Sequence, residues 1–323
     1  HADGSHQMVV ADHAGAHPAV PGTATLLYDA VGGGRRPEDR VTGWVKTQEI
    51  RPGKHTLWDH SFELPQAPGF QTLEQSKATQ ETVAVGGVTH KLKVAGNDKL
   101  EVYDYPGGFA QRFDGVAPGG GDRASDVSAI APDGKRTVGL RAQESATRAL
   151  AVAGESRCRQ LVAGHKFTLD RHFNANGEYV VTRVEHRATL GGAYVPDAGG
   201  YGDGYSNTFT CIPAALPFRP PFVTPKGPIP GTQTATVVGP AGEEIFTDKY
   251  GRVKVQFHWD RDGKKDADSS CWVRVASFWA GKQWGAIHIP RIGQEVVVAF
   301  EEGDQDRPIV VGSVYNAEMM PPY

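Results

Sequence analysis

Residues 246–260 read FTDKYGRVKVQFHWD, and this stretch decides the fold of the C-terminal part of the chain. From Arg252 onward, hydrophobic and polar residues alternate strictly, a pattern that is typical of a half-buried β-strand. The inward face of this strand is expected to carry the hydrophobic residues Val253, Val255, Phe257 and Trp259. The solvent face is expected to carry the polar residues Arg252, Lys254, Gln256 and His258.

Further short extended segments follow at residues 271–276, 284–290, 295–300 and 309–315. They are separated by turns rich in aspartate and glycine, which tolerate the backbone angles that a chain reversal needs. Five short strands without a helical period predict a small closed barrel, and the OB-fold is the leading candidate.

Three phrases in this barrel carry a resemblance to a known family. They are DKYGRVKV at 248–255, IPRIGQEVVV at 289–298 and EGDQDRPIVVG at 302–312. In order and spacing they resemble VgrG, the spike of the bacterial type VI secretion system, which is related to the hub and tail-lysozyme proteins of contractile phages. The resemblance implies a structural spike component.

Composition sets the bounds on the whole chain. Its 323 residues suggest two or three domains, and 40 Gly with 22 Pro favour short strands and turns over helices. No stretch approaches the roughly 18 consecutive apolar residues of a membrane-spanning helix, and no signal segment opens the chain. Because His1 is not a natural start, material is expected upstream. The net charge of −3 supplies no broad basic field for nucleic acid.

The three cysteines, Cys158, Cys211 and Cys271, are odd in number and far apart in the sequence. This pattern argues against a disulfide framework and predicts three reduced thiols in a reducing compartment. Assembly in the cytoplasm, followed by translocation into a target cell, is the localisation that the resemblance implies.

The first part of the chain is expected to be mainly β with one helix. The periodicity of small apolar residues predicts that helix over 137–158. Strands are expected at 41–46, 54–62, 166–169 and 178–186, with Asn176 and Gly177 suited to a hairpin turn. Similarity to VgrG hubs implies phage-hub-like β-barrels over 1–212, incomplete at the N-terminus, whose trimer mimics a six-fold ring.

The density of proline between residues 213 and 232 predicts a stiff, extended linker. The expected organisation is therefore a hub region at 1–212, this linker, and a five-stranded OB-fold domain at 233–316. The resemblance implies that residues 317–323 begin the connection to a three-stranded β-helix needle.

Two stretches, one rich in histidine and one rich in glycine, are candidate ligand-binding sites. His1, His6, His13 and His17 form one group, which we interpret as solvated loop histidines beside an edge strand at 7–11, since their spacing matches no tight ligand motif. The other is the glycine-rich run 115–121, which lacks the Gly-Lys-Ser/Thr ending of a phosphate loop and is interpreted as a flexible loop.

The sequence evidence for a group of residues that supports catalysis or binds calcium is equally weak. His258 beside Asp260, with Cys271 a strand away, suggests a Cys-His site, but Cys271 is interpreted as a small hydrophobe packed next to Trp272. The acidic residues Glu301, Glu302, Asp304 and Asp306 lack the spacing of a calcium-binding EF-hand loop. The sequence therefore predicts no catalytic, cofactor-binding or metal-binding residues, no cofactor, and no enzymatic activity.

Three hypotheses remain open. The first is the spike, for which the resemblance implies a homotrimer that caps an Hcp tube, contacts baseplate proteins, carries a PAAR tip protein with effectors, and punctures a target membrane. The second is an OB-fold that binds single-stranded nucleic acid through Phe257, Trp259 or Trp272; the expected inward orientation of Phe257 and Trp259 argues against it. The third is an enzyme whose effector domain lies beyond this sequence.

Overall fold

The computed structural model describes residues 8–30, 39–65, 73–189 and 204–323. The chain divides into a hub unit, His1–Phe113 with Ser128–Pro221, and an OB unit, Asp114–Val127 with Phe222–Tyr323. The domain boundaries predicted from proline density remain predictions. The fold class is confirmed: a closed six-stranded barrel and a five-stranded sheet dominate the structure, and it has one long helix.

The described part of the hub unit contains eleven strands and the long helix. The strands are β1 (Thr25–Tyr28), β2 (Arg40–Gln48), β3 (Lys54–Leu57), β4 (Gln75–Ala78), β5 (Thr82–Val85), β6 (Val88–Lys91), β7 (Glu101–Asp104), β8 (Leu150–Ser156), β9 (Lys166–Asp170), β10 (Gly177–Thr189) and β11 (Gly204–Pro213). The long helix of this unit is α2 (Ile130–Ala149), and its 3-10 turns are Ala14–Ala16, Asn97–Lys99 and Ala110–Arg112; elsewhere in the chain lie the short helix α1 (Ala124–Ser128) and the 3-10 turn Glu301–Gly303.

A closed barrel with the strand order β1-β2-β8-β11-β10-β9 forms the centre of the hub unit. Strand β1 runs parallel to both of its neighbours, and the other pairs are antiparallel. Aromatic rings meet inside it among aliphatic side chains: the Tyr179 ring packs against Trp44 and Phe167 at centroid distances of 4.9 and 5.9 Å. Closure gives every strand a neighbour on both sides, although β10 extends beyond its pairing with β9 and β2 beyond its pairing with β1.

The position of the long helix corrects the sequence prediction. The helix was expected over 137–158, but α2 runs from Ile130 to Ala149, and residues from Leu150 onward form β8. Alanines at near-helical spacing extend past residue 149, but Leu150–Ser156 is buried at every second residue, which is the period of a strand. Pro132 is compatible with the start, because the first helical turn needs no backbone N–H partner within the helix.

Two small sheets complete the hub unit: a three-stranded sheet ordered β4-β3-β7, and the hairpin β5–β6. Helix α2 packs on β3 and β4. His55 on β3 is buried, and its Nε2 has no hydrogen-bond partner among the described residues. Desolvation by burial therefore lowers the pKa of His55 below its usual 6.5.

We expect the hub unit to lose stability on acidification. With a lowered folded-state pKa, His55 contributes stability that is fully present above pH 6.5 and is lost as the pH falls below that value. His55→Gln should reduce the pH dependence of the unfolding free energy between pH 7 and 5, measured as the denaturant midpoint at each pH. Burial also lowers the pKa of His90 and His172, so the variant should keep part of the pH dependence of its stability. An unchanged slope in the variant would contradict this assignment.

The OB unit contains the other seven strands: β12 (Gln233–Val238), β13 (Lys254–Phe257), β14 (Arg274–Val275), β15 (Ala280–Gly281), β16 (Trp284–Gly285), β17 (Glu295–Phe300) and β18 (Pro308–Val314). Five of them form a sheet ordered β13-β12-β17-β18-β14. An antiparallel bridge between Val253 and Val273 joins its two ends and closes the barrel. Eight fully buried side chains, seven valines and Ala235, fill its core.

The identity of one barrel strand differs from the expectation. Residues 284–290 were expected to supply a strand, but β12 at Gln233–Val238 takes that place. Residues 280–285 instead form a separate hairpin, β15–β16. Because β12 pairs with both β13 and β17, it is a central strand of the barrel.

Candidate functional surfaces of the OB unit

Arg252 is the centre of a buried ionic cluster. Its side chain is 4% exposed, and its Nη1 and Nη2 donate to the two carboxylate oxygens of Asp114 at 2.8 and 3.0 Å. Its Nε donates to Asp248, whose other oxygen accepts the backbone N–H groups of Arg252 and Tyr250, both at 2.9 Å. The expectation that Arg252 faces solvent is therefore wrong.

Lys254 and Gln256 on the expected solvent face are covered as well, whereas His258 is exposed as expected. Lys254 is buried, with Nζ 2.7 Å from the carbonyl oxygen of Ser270, and desolvation by burial lowers the pKa of Lys254. Gln256 accepts the backbone N–H of Lys265 at 2.7 Å and donates to the carbonyl of Asp260 at 3.0 Å. The loop after β13 folds back over this face, which alternation within one strand does not predict.

The glycine-rich run at 115–121, predicted as a loop, forms a hydrogen-bonded turn. Val116 bridges to Asp122, and the N–H of Gly120 donates to the carbonyl of Ala117 at 2.8 Å. Gly120 has a φ of +92°, and a Cβ there would lie 3.3 Å from the Cα of Asp248. The turn thus brings Asp114 and Asp122 to the OB unit, where Lys249 pairs with Asp122.

Trp259 is exposed, which corrects its expected inward orientation. Its ring is 70% exposed and stacks on Phe257 at a centroid distance of 5.4 Å with an interplanar angle of 12°. The Nε1 of Trp259 donates to Gln233 at 3.0 Å. Phe257 is partly buried and stacks in turn on Phe300. Trp272, by contrast, is buried against Phe246.

The residues of the hypothetical Cys-His site interact with other groups. His258 Nε2 lies 3.0 Å from the hydroxyl of Thr234 and 3.7 Å from Glu295. Asp260 accepts the backbone N–H groups of the turn that follows it. Cys271 is exposed, so the expectation that it packs as a small hydrophobe is wrong.

The acidic turn and the N-terminal histidines also have structural partners. Lys226 Nζ lies 3.1 Å from Asp304 and 2.9 Å from Asp306, so this lysine neutralises part of the acidic turn. His17 Nδ1 lies 2.9 Å from the carbonyl of Gly164, whereas His1 and His6 lie outside the described residues. The described part of the chain holds no group of three His, Cys, Asp or Glu side chains suited to a metal ion.

Thiol reactivity is expected to divide the cysteines into two classes. All three are unpaired; Cys158 and Cys211 are buried and Cys271 is exposed. Burial raises the pKa of all three thiols, to about 11 for Cys158 and well above the usual value for Cys211, so the division rests on the exposure of Cys271 to the reagent. An aromatic disulfide reagent should label one thiol rapidly in the native chain and three after denaturation. Only one reactive thiol after denaturation would contradict the prediction of reduced cysteines.

The hairpin β15–β16 is a feature that the sequence pattern did not reveal. Residues 276–285 are exposed without interruption, and Phe278, Trp279, Trp284 and Ile287 are the large apolar side chains in and beside the hairpin. The rings of Trp279 and Trp284 contact edge to face at 5.5 Å. A Cβ on Gly281 would lie 2.3 Å from the Trp284 ring, so only glycine allows that ring to lie across the hairpin.

Both units match families of known proteins. Residues 1–192 match the phage tail baseplate hub family, and residues 241–315 match the type VI secretion system/phage-baseplate injector OB domain. The described residues contain no helix that is both long and apolar enough to span a bilayer.

Two curated spike proteins of Pseudomonas aeruginosa are similar along nearly the whole chain. The type VI secretion system spike protein VgrG1a is 38% identical over 100% of this chain and 45% of its own length. The spike protein VgrG1c is 38% identical over 98% of this chain and 39% of its own length. This chain therefore spans less than half the length of these relatives. A solved type VI secretion component from E. coli aligns with a TM-score of 0.40 and 22% identity, over 60% of this chain and 44% of that one.

The hub match covers more than half of the chain, the OB match covers the barrel that follows it, and the similarity to curated spike proteins spans both. The chain belongs to the phage tail baseplate hub family, and its hub and OB-fold units are similar to the corresponding part of curated VgrG spike proteins of the type VI secretion system.

Proposed function

We propose that this chain is the structural base of a type VI secretion spike: it assembles as a trimer, caps the Hcp tube and helps to drive effectors through a target membrane. The observation that carries the proposal is the continuous similarity to curated spike proteins, which runs through both units at 38% identity. Baseplate proteins and a PAAR tip protein are the other partners on this hypothesis. Its localisation would change from the cytoplasm, where the spike assembles, to the target cell.

The architecture supports a mechanical role rather than a catalytic one. Closed barrels place their backbone N–H and C=O groups in ladders, so few are left to water or lipid. Two of the candidate residues have structural roles: Asp260 stabilises a turn, and Asp304, a candidate calcium ligand, pairs with Lys226. We therefore propose that the chain acts without enzymatic chemistry of its own.

Mass photometry of the chain with and without purified Hcp tests the proposal. We expect a trimer that gains the mass of an Hcp ring when Hcp is added. An unrelated OB-fold protein of similar size is the negative control for Hcp binding. A chain that stays monomeric and gains no mass with Hcp would contradict the spike function.

A second candidate function has one observation in its favour. Trp259 is exposed and stacked on Phe257, and such a platform suits the bases of single-stranded nucleic acid. The net charge of −3 disfavours it, because non-specific binding depends on basic side chains near the phosphates.

Fluorescence anisotropy with a labelled single-stranded oligonucleotide separates the two functions. We expect no saturable binding at physiological salt. A micromolar isotherm that weakens steeply with salt and is lost in Trp259→Ala would instead favour the nucleic-acid function.

A further inference from the structure

The hairpin β15–β16 exposes apolar side chains on both of its faces. Its register pairs Ala280 with Gly285 and Gly281 with Trp284. Because side chains alternate between the faces of a strand, Trp279 and Trp284 share one face. The same register places Phe278 opposite Ile287 on the other face. A hairpin of this kind buries its surface only when both faces are covered.

The amount of apolar surface is large for an isolated patch. The four side chains are 87%, 60%, 58% and 87% exposed in chain order. With about 150–250 Å² for each large side chain, they present roughly 500–600 Å². This is most of the ~800 Å² that one partner contributes to a standard protein interface.

The composition also fits the centre of a protein interface. Between residues 276 and 290, Lys282 is the one Lys, Arg, Asp or Glu, and three aromatic residues accompany it. Interface cores are enriched in aromatic residues and depleted of charge. The hairpin is also preorganised, because the Trp284 ring lies against Gly281 and the N–H of Ala286 donates to the carbonyl of Trp279 at 2.9 Å. Preorganisation lowers the entropy lost on binding.

Hydrogen bonding favours a protein partner over a lipid surface. A two-stranded hairpin keeps unpaired backbone groups along both outer edges, and such groups are costly in hydrocarbon. A protein strand laid against the hairpin would satisfy them.

The OB unit also has an exposed strand edge whose backbone groups can pair with the outer edge of such a hairpin. Within the described residues, β18 pairs with β17 along its length but with β14 only at Ile309 and Val310. Beyond Val310 its outer edge is therefore open, and Val311, Val314 and Tyr315 are 48%, 39% and 68% exposed there. A ring of identical subunits needs two different complementary surfaces on each copy, and this unit has two candidates.

We propose that the hairpin β15–β16 of one copy docks on the exposed edge of β18, residues 311–315, of a second copy of this chain. This inference rests on the proposed spike function, which requires self-association, and it names the surface that the assembly uses. Trp279 and Trp284 are its central contacts.

Sedimentation of the full chain over a hundredfold dilution tests the proposal. In the double variant Trp279→Ser/Trp284→Ser, the concentration at which the chain self-associates should rise at least tenfold. Trp259→Ser is the matched control, because Trp259 is an equally exposed tryptophan of the same unit outside the hairpin. It should leave self-association unchanged. Near-UV circular dichroism verifies that both variants are folded. Equal effects of the two variants, or none, would overturn the proposal.

A photo-crosslinking residue in place of Lys282, at the tip of the hairpin, locates the partner surface. With mixed isotope-labelled and unlabelled chains, we expect crosslinks between copies that fall within residues 311–315. Crosslinks to another region overturn the proposed surface. Flotation of the chain with phosphatidylcholine–phosphatidylglycerol vesicles that is lost in the double variant would assign the hairpin to a membrane instead.

The outcomes separate this proposal from the function on which it rests. If the double variant still self-associates and binds Hcp, the hairpin proposal fails and the spike function stands. If the wild-type chain self-associates through the hairpin but binds no Hcp, the hairpin proposal stands and the spike function fails. A wild-type chain that is monomeric at every concentration overturns both.

Discussion

Replacing Arg252 with methionine should destabilise the OB unit by about 3–5 kcal/mol, which is typical when one partner of a buried ion pair is removed. The side chain of Asp248 is fully buried, and that of Arg252 is 4% exposed. Without the guanidinium, Asp248 retains its two backbone N–H donors but loses its countercharge. Asp114 is 40% exposed, so water compensates part of its loss. Most of the effect should therefore come from the buried carboxylate of Asp248.

Denaturant melts of the full chain, followed by near-UV circular dichroism, measure this loss. Two substitutions serve as controls. Arg261→Met removes an exposed arginine of the same unit, and Trp259→Ala removes an exposed tryptophan; each should cost about 1 kcal/mol or less. Equal losses for Arg252→Met and Arg261→Met would contradict the buried-cluster assignment. The stability loss in Arg252→Lys should lie between those of Arg252→Met and Arg261→Met. Lysine keeps the charge but lacks the planar guanidinium that binds Asp114 through two nitrogens.

The comparison of Arg252 with Trp259 also shows where sequence reasoning fails. Alternation correctly places Val253 and Val255 in the core, because those residues lie within the barrel strand and its closing bridge. It fails at Trp259, since β13 ends at Phe257 and the period of a strand no longer applies. It fails at Arg252 because Asp114, 138 residues away in the chain, supplies the partner. No local pattern encodes such a contact.

The same distinction between local and long-range information holds elsewhere. The hairpin formed by β9 and β10 is predicted from local turn chemistry and is confirmed, but its connection spans residues 171–176, and Gly177 already pairs with Leu169 in β10. The end of α2 was misplaced because alanine suits helices and tightly packed strands alike, and only pairing with β2 and β11 makes Leu150–Ser156 a strand. The sequence predicts a barrel strand at residues 284–290 because their apolar side chains resemble core residues until the rest of the barrel is placed, whereas Trp284–Gly285 instead form one strand of the exposed hairpin.

Tyr179 provides the corresponding test in the hub barrel, where aromatic rings pack among the aliphatic side chains of the core. Its side chain is 2% exposed, its ring packs against Trp44 and Phe167, and its hydroxyl donates to the carbonyl of Ala175 at 2.8 Å. Tyr179→Ala should cost about 3–5 kcal/mol, because it removes buried apolar surface and leaves a cavity among rigid rings.

Tyr179→Phe is the matched control for that substitution. It keeps the ring and removes one buried hydrogen bond, so it should cost about 1–2 kcal/mol. Urea melts followed by tryptophan fluorescence report on this site, because Trp44 contacts the Tyr179 ring directly. If the phenylalanine variant were as unstable as the alanine variant, the hydrogen bond to Ala175 would outweigh the packing. Because closure of the barrel requires β10 to pair with both β9 and β11, we expect Tyr179→Ala to weaken the whole hub unit in one cooperative transition rather than to loosen one strand.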